Sequence, residues 1–277
     1  MSQVISQPSQ IKNISDREFN QIRALLFDKT GITLSDGKKP LVSGRLAKRL
    51  RHFGFKKFGD YYQQLESEKF VGEEMQEFLN LLTTNETHFF RESAHFDFLQ
   101  NNILSQQASL GKFRMWSAAS SSGEEAYSAA MIIASQLREK QWEILGTDIN
   151  STVLQTAKRG IYPMSVVGEI PSTFLKKYCL RGIGSQSGSF IIDRQLKKHI
   201  EFKQLNLNQH LPDIGKFDLI MLRNVMIYFT NDTKQTIVQQ MLPKLKKGGY
   251  FIVGHSENLS FLKSQLTLVQ PSVYIKN

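Results

Sequence analysis

One stretch of the chain, RMWSAASSSGEEAYSAAMIIA at residues 114–134, limits the possible folds more than any other. It begins as a short apolar strand, turns through small polar residues, and continues as an apolar helix that starts with two glutamates. A strand that passes through a tight turn into a helix is typical of a mainly parallel α/β sheet. Ligands bind outside the carboxyl ends of the strands in such sheets, so this turn is a predicted ligand site.

Strands and helices alternate through the rest of the chain, which favours a parallel sheet covered on both faces. The predicted elements are strands at FRMWSAA, WEILGTDI, IEFKQLNL, KFDLIMLRN and YFIVGHS, and helices over 124–139, 150–160 and 232–247. We expect the last helix to be interrupted at Pro243 and to end at Gly248-Gly249. The segment LTLVQPSVYIKN predicts an antiparallel hairpin at a sheet edge, and the glycine-punctuated stretch 161–198 predicts a small inserted β-subdomain.

Residues 1–82 contain only helical patterns. The segment SDREFNQIRALLFDKTG has a capping Ser15 near its start, apolar residues at helical spacing, and Gly31 at its end. The segments KPLVSGRLAKRLRHFG, DYYQQLESEKF and GEEMQEFLNLL predict three further helices. We therefore expect an all-helical domain ahead of the α/β domain.

Composition narrows the choice of protein class. Cys179 is the only cysteine and the six histidines are scattered, so neither a disulfide nor a metal site is expected. The opening MSQVISQPSQ lacks the pattern of a secretory signal, and no apolar run approaches the ~20 residues of a membrane span. The cytoplasm is the expected compartment. A net charge of +10 favours an acidic partner, with nucleic acid, a membrane surface and a protein all open.

The turn SAASSSGEEA lacks the chemistry of a phosphate site. It has neither the G-x-G-x-x-G spacing of a dinucleotide site nor the Lys-Ser/Thr pair of a P-loop. Asp148, at the end of LGTDI, can accept hydrogen bonds from both ribose hydroxyls of an adenosine, and a nucleoside without phosphate points to S-adenosylmethionine. Glu124 or Glu125 would meet the positively charged end of that ligand. The alternative is a surface turn whose glutamates only interact with the helix dipole.

Two other segments supply polar side chains near this domain. TTNETHFFRESAHFDFL contains Asn85, Thr87 and Arg91 among phenylalanines, and RNVMIYF places Asn224 and Tyr228 at the carboxyl end of another strand. As alternatives, Asn85 or Thr87 caps a helix, and Tyr228 is a structural residue.

Together the segments TTNETHFFRE, WSAASSSGEEAYS, GTDIN, GIYP, FDLIMLRNVMIYF and GHSENL resemble the CheR family of chemotaxis-receptor glutamate methyltransferases. The likeness covers nearly the whole chain. It implies a helical receptor-docking domain at 1–82, a segment at 83–92 that contributes to the cofactor site, and a Rossmann-like S-adenosylmethionine-dependent methyltransferase domain at 93–277 with its β insertion at about 161–198. The implied reaction esterifies specific glutamates of chemoreceptors, with S-adenosylhomocysteine as product and no metal.

The resemblance also implies positions in the cofactor site. Glu125 would hold the amino end of the cofactor and Asp148 its ribose. The remaining implied contacts are Asn85, Thr87, Arg91, Asn206, Leu207, Asn224 and Val225. Ser122 and Ala126 stand where family members commonly have threonine and proline, which affects only the detailed geometry of the turn.

The implied chemistry needs no general base, since a glutamate with a pKa of ~4.3 is already ionised at neutral pH. The enzyme has to align the carboxylate, the methyl carbon and the sulfur. Arg91 is the candidate for steering either the substrate carboxylate or the cofactor's own carboxylate. Tyr228 is the second candidate, as a wall of the pocket or a hydroxyl donor near the methyl group.

Residues 37–59 contain eight basic and no acidic side chains. Arg45, Lys48 and Arg49 share one face of the predicted helix, and Arg51 lies on its flank. Such a face suits nucleic acid phosphates or, as the resemblance implies, the methylation helices of a receptor; a solvated face is the plain alternative. The rival functions are a nucleic-acid-binding module and a methyltransferase for RNA or a small molecule.

The insertion contains RGIGSQSG, with Gly182, Gly184 and Gly188. Some members of the family bind a C-terminal receptor peptide along the edge of this subdomain, and a strand edge bordered by glycines suits such an addition. The alternative is a plain hairpin loop.

Overall fold

The computed structural model describes residues 11–67, 72–107, 111–138 and 141–277. The chain divides into one compact unit that ends at Thr83 and a second that begins at Thr84. The opening MSQVISQPSQ lies outside the described residues. Within the described residues no helix is both long enough and apolar enough to cross a bilayer.

The N-terminal unit is helical, as predicted. Its helices are α1 (Asp16–Thr30), α2 (Lys39–Phe53), α3 (Phe58–Glu66) and α4 (Glu73–Leu82). The Ser15 hydroxyl accepts a hydrogen bond from the Glu18 amide, and the Glu18 carboxylate accepts one from the Ser15 amide at 2.8 Å, so α1 begins at a capping box. It ends at Gly31 with a φ of 74°. The other Glu18 oxygen accepts the Gly59 amide at 2.8 Å and ties α3 to α1.

The C-terminal unit is built on a seven-stranded sheet. In chain order the strands of the unit are β1 (Phe113–Ser117), β2 (Trp142–Asp148), β3 (Ile161–Pro163), β4 (Cys179–Arg181), β5 (Ser189–Ile192), β6 (Ile200–Gln204), β7 (Phe217–Leu222), β8 (Leu245–Val253), β9 (Leu266–Gln270) and β10 (Val273–Lys276). The order across the main sheet is β6-β2-β1-β7-β8-β10-β9. The pairs from β6 to β8 are parallel, and β10 pairs antiparallel with both β8 and β9. The mainly parallel sheet and the edge hairpin are therefore confirmed.

The helices of this unit are α5 (Ser93–Phe98), α6 (Leu104–Gln107), α7 (Glu124–Gln136), α8 (Ser151–Arg159), α9 (Ser172–Tyr178), α10 (Arg194–Lys197) and α11 (Asn231–Met241), with a π-helical turn at Leu99–Ile103. Helix α7 is the most deeply buried of those described, because nine of its 13 residues are buried. It ends at Gln136 because Leu137 is already extended, so the prediction of a helix to residue 139 is wrong at 137 and 138, and residue 139 itself lies outside the described residues. Helix α8 is capped at its start by Asn150, whose side chain accepts the Thr152 and Val153 amides, and at its end by Gly160.

The prediction of a helix over 232–247 is wrong at its C-terminal end. Helix α11 stops at Met241, a single 3₁₀ turn contains Pro243, and β8 already begins at Leu245. Proline removes a helical hydrogen bond, and Leu245 then pairs with Phe217 of β7. The register between β7 and β8 shifts after this pair, close to Gly248, which has a φ of 72°. The strand predicted at YFIVGHS is confirmed, but local periodicity missed its first residues because their conformation depends on the pairing with β7.

The insertion at 161–198 folds as a three-stranded antiparallel sheet of order β3-β5-β4. Its apolar residues belong to the same hydrophobic core as the main sheet. Tyr162 of β3 lies edge-on to Phe89 at 4.9 Å and packs near Tyr127 of α7, and Phe190 of β5 lies 6.0 Å from Phe89. The subdomain is therefore packed into the α/β unit.

Candidate functional site

The register of the central strands brings three polar segments to one edge of the sheet. Ser117, the last residue of β1, is level with Gly146 of β2 and Met221 of β7. Asp148 is the last residue of β2 and Arg223 is the first residue after β7, so both stand at the carboxyl edge beside the serine-rich turn. This is the edge at which ligands bind in parallel α/β sheets.

The serine-rich turn is held by backbone hydrogen bonds and close packing. Gly123 ends it with a φ of 99°, and a Cβ there would lie 2.9 Å from the Ala157 methyl group. The Tyr162 hydroxyl donates to the Ser122 carbonyl at 2.7 Å. The Ser120 amide donates to the Thr147 carbonyl at 2.8 Å, which joins the turn to the end of β2. Small side chains are needed here because the turn runs against both α8 and β3.

Asp148 is a buried carboxylate at the tip of β2, with 8% of its surface exposed. Its two oxygens accept the Ser121 and Asn150 amides, each at 2.9 Å. Burial raises the pKa of Asp148, and these amide donors oppose the rise. The Ser121 hydroxyl donates to the Asn85 carbonyl at 3.1 Å, so the segment that contains Asn85 lies against the same turn.

Glu125 lies in the first turn of α7 and forms a buried ion pair with Arg223. The Arg223 Nη1 is 2.9 Å from Glu125 Oε2, and the Ser117 hydroxyl donates to Oε1 at 2.7 Å. Burial raises the pKa of Glu125, and Arg223 opposes that rise. Its neighbour Glu124 is bound by the Ser122 hydroxyl instead. The two glutamates therefore have different partners in the structure, and the binding of the cofactor by Glu125 stays a prediction.

The segment after β7 is fixed from two sides. Asn224 has a φ of 56°, and its side-chain amide donates to Glu92 Oε1 at 2.9 Å. The buried Glu257 carboxylate accepts the backbone amides of Asn224, Met226 and Gly254 at 2.7–2.9 Å. Sequence reasoning did not single out Arg223 or Glu257. Arg223 pairs with glutamates 98 and 131 residues away, and Glu257 accepts the Asn224 amide from 33 residues away, distances over which local patterns carry no information.

Arg91 and Thr87 lie on the segment that precedes α5, and both are half-buried. The Arg91 Nη1 donates to the Glu86 carbonyl at 2.7 Å, so its guanidinium folds back over its own segment. The segment is anchored to the rest of the unit by the Phe89 amide, which binds Glu169 at 2.9 Å, and by the Phe90 amide, which binds the Ser128 hydroxyl at 2.9 Å.

The remaining predicted residues follow β6 and β7. Asn206 is half-buried and accepts the Asn208 amide at 3.0 Å, whereas Leu207 is buried. Val225 and Tyr228 are half-buried, and the Tyr228 amide donates to the Val225 carbonyl at 3.1 Å across a 3₁₀ turn. All predicted cofactor residues therefore belong to segments at or following the carboxyl ends of the strands, or to the segment that contains Asn85.

Glu92, His95 and His255 offer ligand atoms that lie within 4.8 Å of one another. The Glu92 carboxylate, however, already accepts the Asn224 side chain, Arg223 Nη2 at 3.1 Å and the His255 amide at 3.2 Å. A buried guanidinium beside the same carboxylate repels a divalent cation. Burial and the charge of Arg223 lower the pKa of His95 to about 4, so its imidazole is neutral at pH 7. This donor set fits a buried ion-pair network better than a cation site, and the absence of a metal stays a prediction.

Within the N-terminal unit the basic residues of α2 fall into two groups. Arg45 Nη1 donates to the Leu81 and Thr83 carbonyls at 3.1 and 3.0 Å, which caps the end of α4. Arg49 forms a bidentate pair with Glu74. Lys48 and Arg51 are exposed. The helical spacing was read correctly, but half of the predicted docking face is bound to α4.

The predicted tail-binding glycines lie in the loop between β4 and β5. Gly184 and Gly188 have φ values of 58° and 89°, and a Cβ at Gly182 would lie 2.1 Å from the Gln186 carbonyl oxygen. These glycines are therefore required by the loop itself. Leu180 on β4 and Ile183 beside it are exposed at 55% and 82%.

Comparison with known proteins gives consistent matches along the chain. Residues 85–275 match the family described as "CheR methyltransferase, SAM binding domain", and residues 17–83 match "CheR methyltransferase, all-alpha domain". The Chemotaxis protein methyltransferase of Escherichia coli (strain K12) is 40% identical, over 94% of this chain and 91% of its own length. The proteins of the same name from Salmonella typhimurium and Borreliella burgdorferi are each 38% identical; the first match covers 98% of this chain and 94% of the relative, the second 96% of both.

Proposed function

The chain belongs to the CheR methyltransferase family and is an S-adenosylmethionine-dependent methyltransferase, and from this premise we propose that it esterifies specific glutamate side chains on chemotaxis receptors. The observation that carries the proposal is the pair of buried carboxylates, Asp148 and Glu125, on either side of a turn without phosphate-binding chemistry. A nucleoside that carries a positive charge and no phosphate matches this pair.

We propose that the cofactor lies along the carboxyl edge of the sheet. Asp148 would bind the ribose hydroxyls, because its oxygens are aimed by two backbone amides and keep further lone pairs for a ligand. Glu125 would bind the cofactor's ammonium group. The residues that would complete the pocket are Asn85, Thr87, Arg91, Asn206, Leu207, Asn224 and Val225.

When bound, S-adenosylmethionine supplies a methyl group on a positively charged sulfur. The chain's own residues then only have to bring an already ionised glutamate into line with it and exclude water. We assign the orientation of that carboxylate to Arg91, whose guanidinium uses one of its five N–H donors for the Glu86 carbonyl. We propose that the Tyr228 side chain forms the wall of the pocket beside the methyl group.

We further propose that Lys48 and Arg51 of α2 contact the acidic side of the receptor's methylation helices. Both side chains are exposed, whereas Arg45 and Arg49 already have partners within their own unit. Recruitment of this kind would place the enzyme at receptor arrays on the inner face of the membrane. The double variant Lys48→Ala/Arg51→Ala should lose receptor methylation with an unchanged affinity for S-adenosylhomocysteine, and calorimetry that finds a weakened affinity would refute it.

A receptor tail peptide is proposed to add to the β-subdomain at β4, an edge strand with the exposed apolar Leu180 beside it. The substitution Leu180→Glu should abolish binding of a C-terminal receptor peptide. If neither this variant nor the wild type binds the peptide at millimolar concentration, the tether does not exist.

Incubation with methyl-labelled cofactor and receptor-bearing membranes tests the function itself. Glutamate esters release the label as volatile methanol in alkali, and we expect this for the wild type. An alkali-stable label, or label found in RNA, would instead support a methyltransferase of another specificity. Nucleic acid is favoured by the net charge of +10 and by the basic face of α2, both of which a receptor with acidic helices explains equally well.

A further inference from the structure

Arg223 is the most deeply buried charged side chain at the sheet edge, with 2% of its side chain exposed. Its Nη1 pairs with Glu125 at 2.9 Å, and its Nη2 pairs with Glu92 at 3.1 Å and also donates to the Arg91 carbonyl. The guanidinium carbon lies 5.5 Å from the centre of the Phe96 ring. One side chain therefore connects the end of β7, the first turn of α7 and the segment that contains Arg91.

The contacts of Arg223 fix where the Glu125 carboxylate points. Oε2 is held by Arg223 and Oε1 by the Ser117 hydroxyl, so one donor binds each oxygen and leaves a lone pair on each. Without Arg223, Glu125 would be a buried carboxylate facing a second carboxylate, Glu92, with no cation between them. Burial already raises the pKa of Glu125, and the loss of Arg223 would favour its neutral form.

We propose that Arg223 is a positioning residue: it holds the Glu125 carboxylate charged and aimed at the amino end of the cofactor, and holds the Arg91 backbone in the same arrangement. This inference rests on the proposed function, because it requires the amino end of S-adenosylmethionine to bind Glu125. Arg223 itself touches neither cofactor nor substrate in this proposal.

A positioning role and a structural role can be distinguished by the ligand whose binding each one affects. S-adenosylhomocysteine carries the amino-acid end, whereas 5′-methylthioadenosine has the same adenine and ribose without it. A loss of positioning at Glu125 weakens only the first ligand. A general loosening of the sheet edge weakens both, because Asp148 and the serine-rich turn serve the shared part.

The variants for this test are Arg223→Met and Arg223→Lys, with Arg114→Met as the matched control. Arg114 also pairs with a glutamate, Glu143, and donates to two backbone carbonyls. It lies near the start of β1, however, and therefore at the amino ends of the parallel strands, away from the proposed cofactor site. Binding of each ligand is measured by titration calorimetry, which reports the affinity of the folded fraction. Lysine keeps the charge but lacks the planar fork that reaches several acceptors at once.

We expect Arg223→Met to bind S-adenosylhomocysteine about 10- to 100-fold more weakly than the wild type, the range for a disrupted hydrogen bond to a charged group. Its affinity for 5′-methylthioadenosine should change less than about threefold, within the noise of remote substitutions. Arg223→Lys should show a smaller loss that is equally selective for S-adenosylhomocysteine. If Arg223→Met does not fold, the affinities of Arg223→Lys for the two ligands test the proposal by themselves. Arg114→Met should leave both affinities unchanged.

Equal losses for the two ligands, or no loss for either, would overturn the positioning role. Failure of the wild type to bind S-adenosylhomocysteine would instead overturn the proposed function. The two failures are therefore separated by the wild-type titration.

Discussion

Replacement of Arg49 separates a structural role from a receptor-docking role on the same helix. The Arg49 guanidinium reaches Glu74 through two nitrogens, with Nε 2.9 Å from Oε1. The hydroxyl of the buried Tyr61 also donates to Oε1, at 2.6 Å. In the Arg49→Ala variant the Glu74 carboxylate loses the guanidinium and keeps only the Tyr61 hydroxyl of these two donors. We expect this change to destabilise the N-terminal unit.

The size of the loss follows from the burial of the two partners. Removal of one member of a fully buried ion pair costs about 3–5 kcal/mol. Glu74 is 8% exposed and Arg49 is 22% exposed, so the pair is partly solvated. Water can therefore solvate the Glu74 carboxylate in the variant and offset part of the lost interaction. We therefore expect Arg49→Ala to lower the free energy of unfolding by about 2–3 kcal/mol. Arg51→Ala, an exposed arginine of the same helix, should stay within about 0.5 kcal/mol of the wild type.

Urea unfolding followed by far-ultraviolet circular dichroism measures this loss. Tryptophan fluorescence is unsuitable, since Trp116 and Trp142 both lie in the C-terminal unit. The double variant Arg49→Ala/Glu74→Gln should regain most of the stability, because it removes the unpaired charge and keeps an acceptor for Tyr61. Equal stability of Arg49→Ala and the wild type, together with a loss of receptor methylation in Arg49→Ala alone, would refute the structural role.

Three further predictions concern the C-terminal unit. Asp148→Asn should weaken S-adenosylhomocysteine and 5′-methylthioadenosine alike, by about 100-fold in calorimetry, because both ligands carry the ribose; an unchanged affinity for the second ligand would count against the ribose assignment. Tyr228→Phe should lower kcat about tenfold in the methanol-release assay while the affinity for S-adenosylhomocysteine changes less than twofold, and the reverse pattern would make Tyr228 a cofactor residue. Burial lowers the pKa of His95 from 6.5 to about 4, so the unfolded chain takes up this proton first as the pH falls. The wild type should therefore lose up to about 3 kcal/mol more stability than His95→Leu between pH 6.5 and 4; parallel pH profiles in urea unfolding would contradict it.

Local patterns predicted the parts of the fold that local interactions determine. Ser15 and Gly31 bound α1 because a capping box and a left-handed glycine act within a few residues. The rim position of Asp148 followed from the strand–helix alternation alone. By contrast, residues 245–247 resemble a continued helix in composition, whereas in the structure Leu245 already pairs with Phe217 of β7.

The polar contacts of the candidate site could not be predicted from the sequence for a similar reason. Arg223 stands next to Asn224, which the sequence did indicate, but its proposed role depends on Glu125 and Glu92, which lie 98 and 131 residues away. The same limit applied to α2, where spacing placed Arg45 and Arg49 on one face and could not reveal that α4 supplies acceptors to both. Contacts between segments that are distant in the chain produce no periodic pattern in the sequence.

The three-stranded sheet at 161–198 has no interior of its own, since Tyr162 and Phe190 pack on Phe89 and Tyr127 outside it. Exchanging this region between relatives would thus require transplanting those outside aromatic rings as well, or the graft would leave voids. A peptide bound along its outer strand would likewise be anchored at a fixed distance from the carboxyl edge of the main sheet, where we propose that methyl transfer takes place.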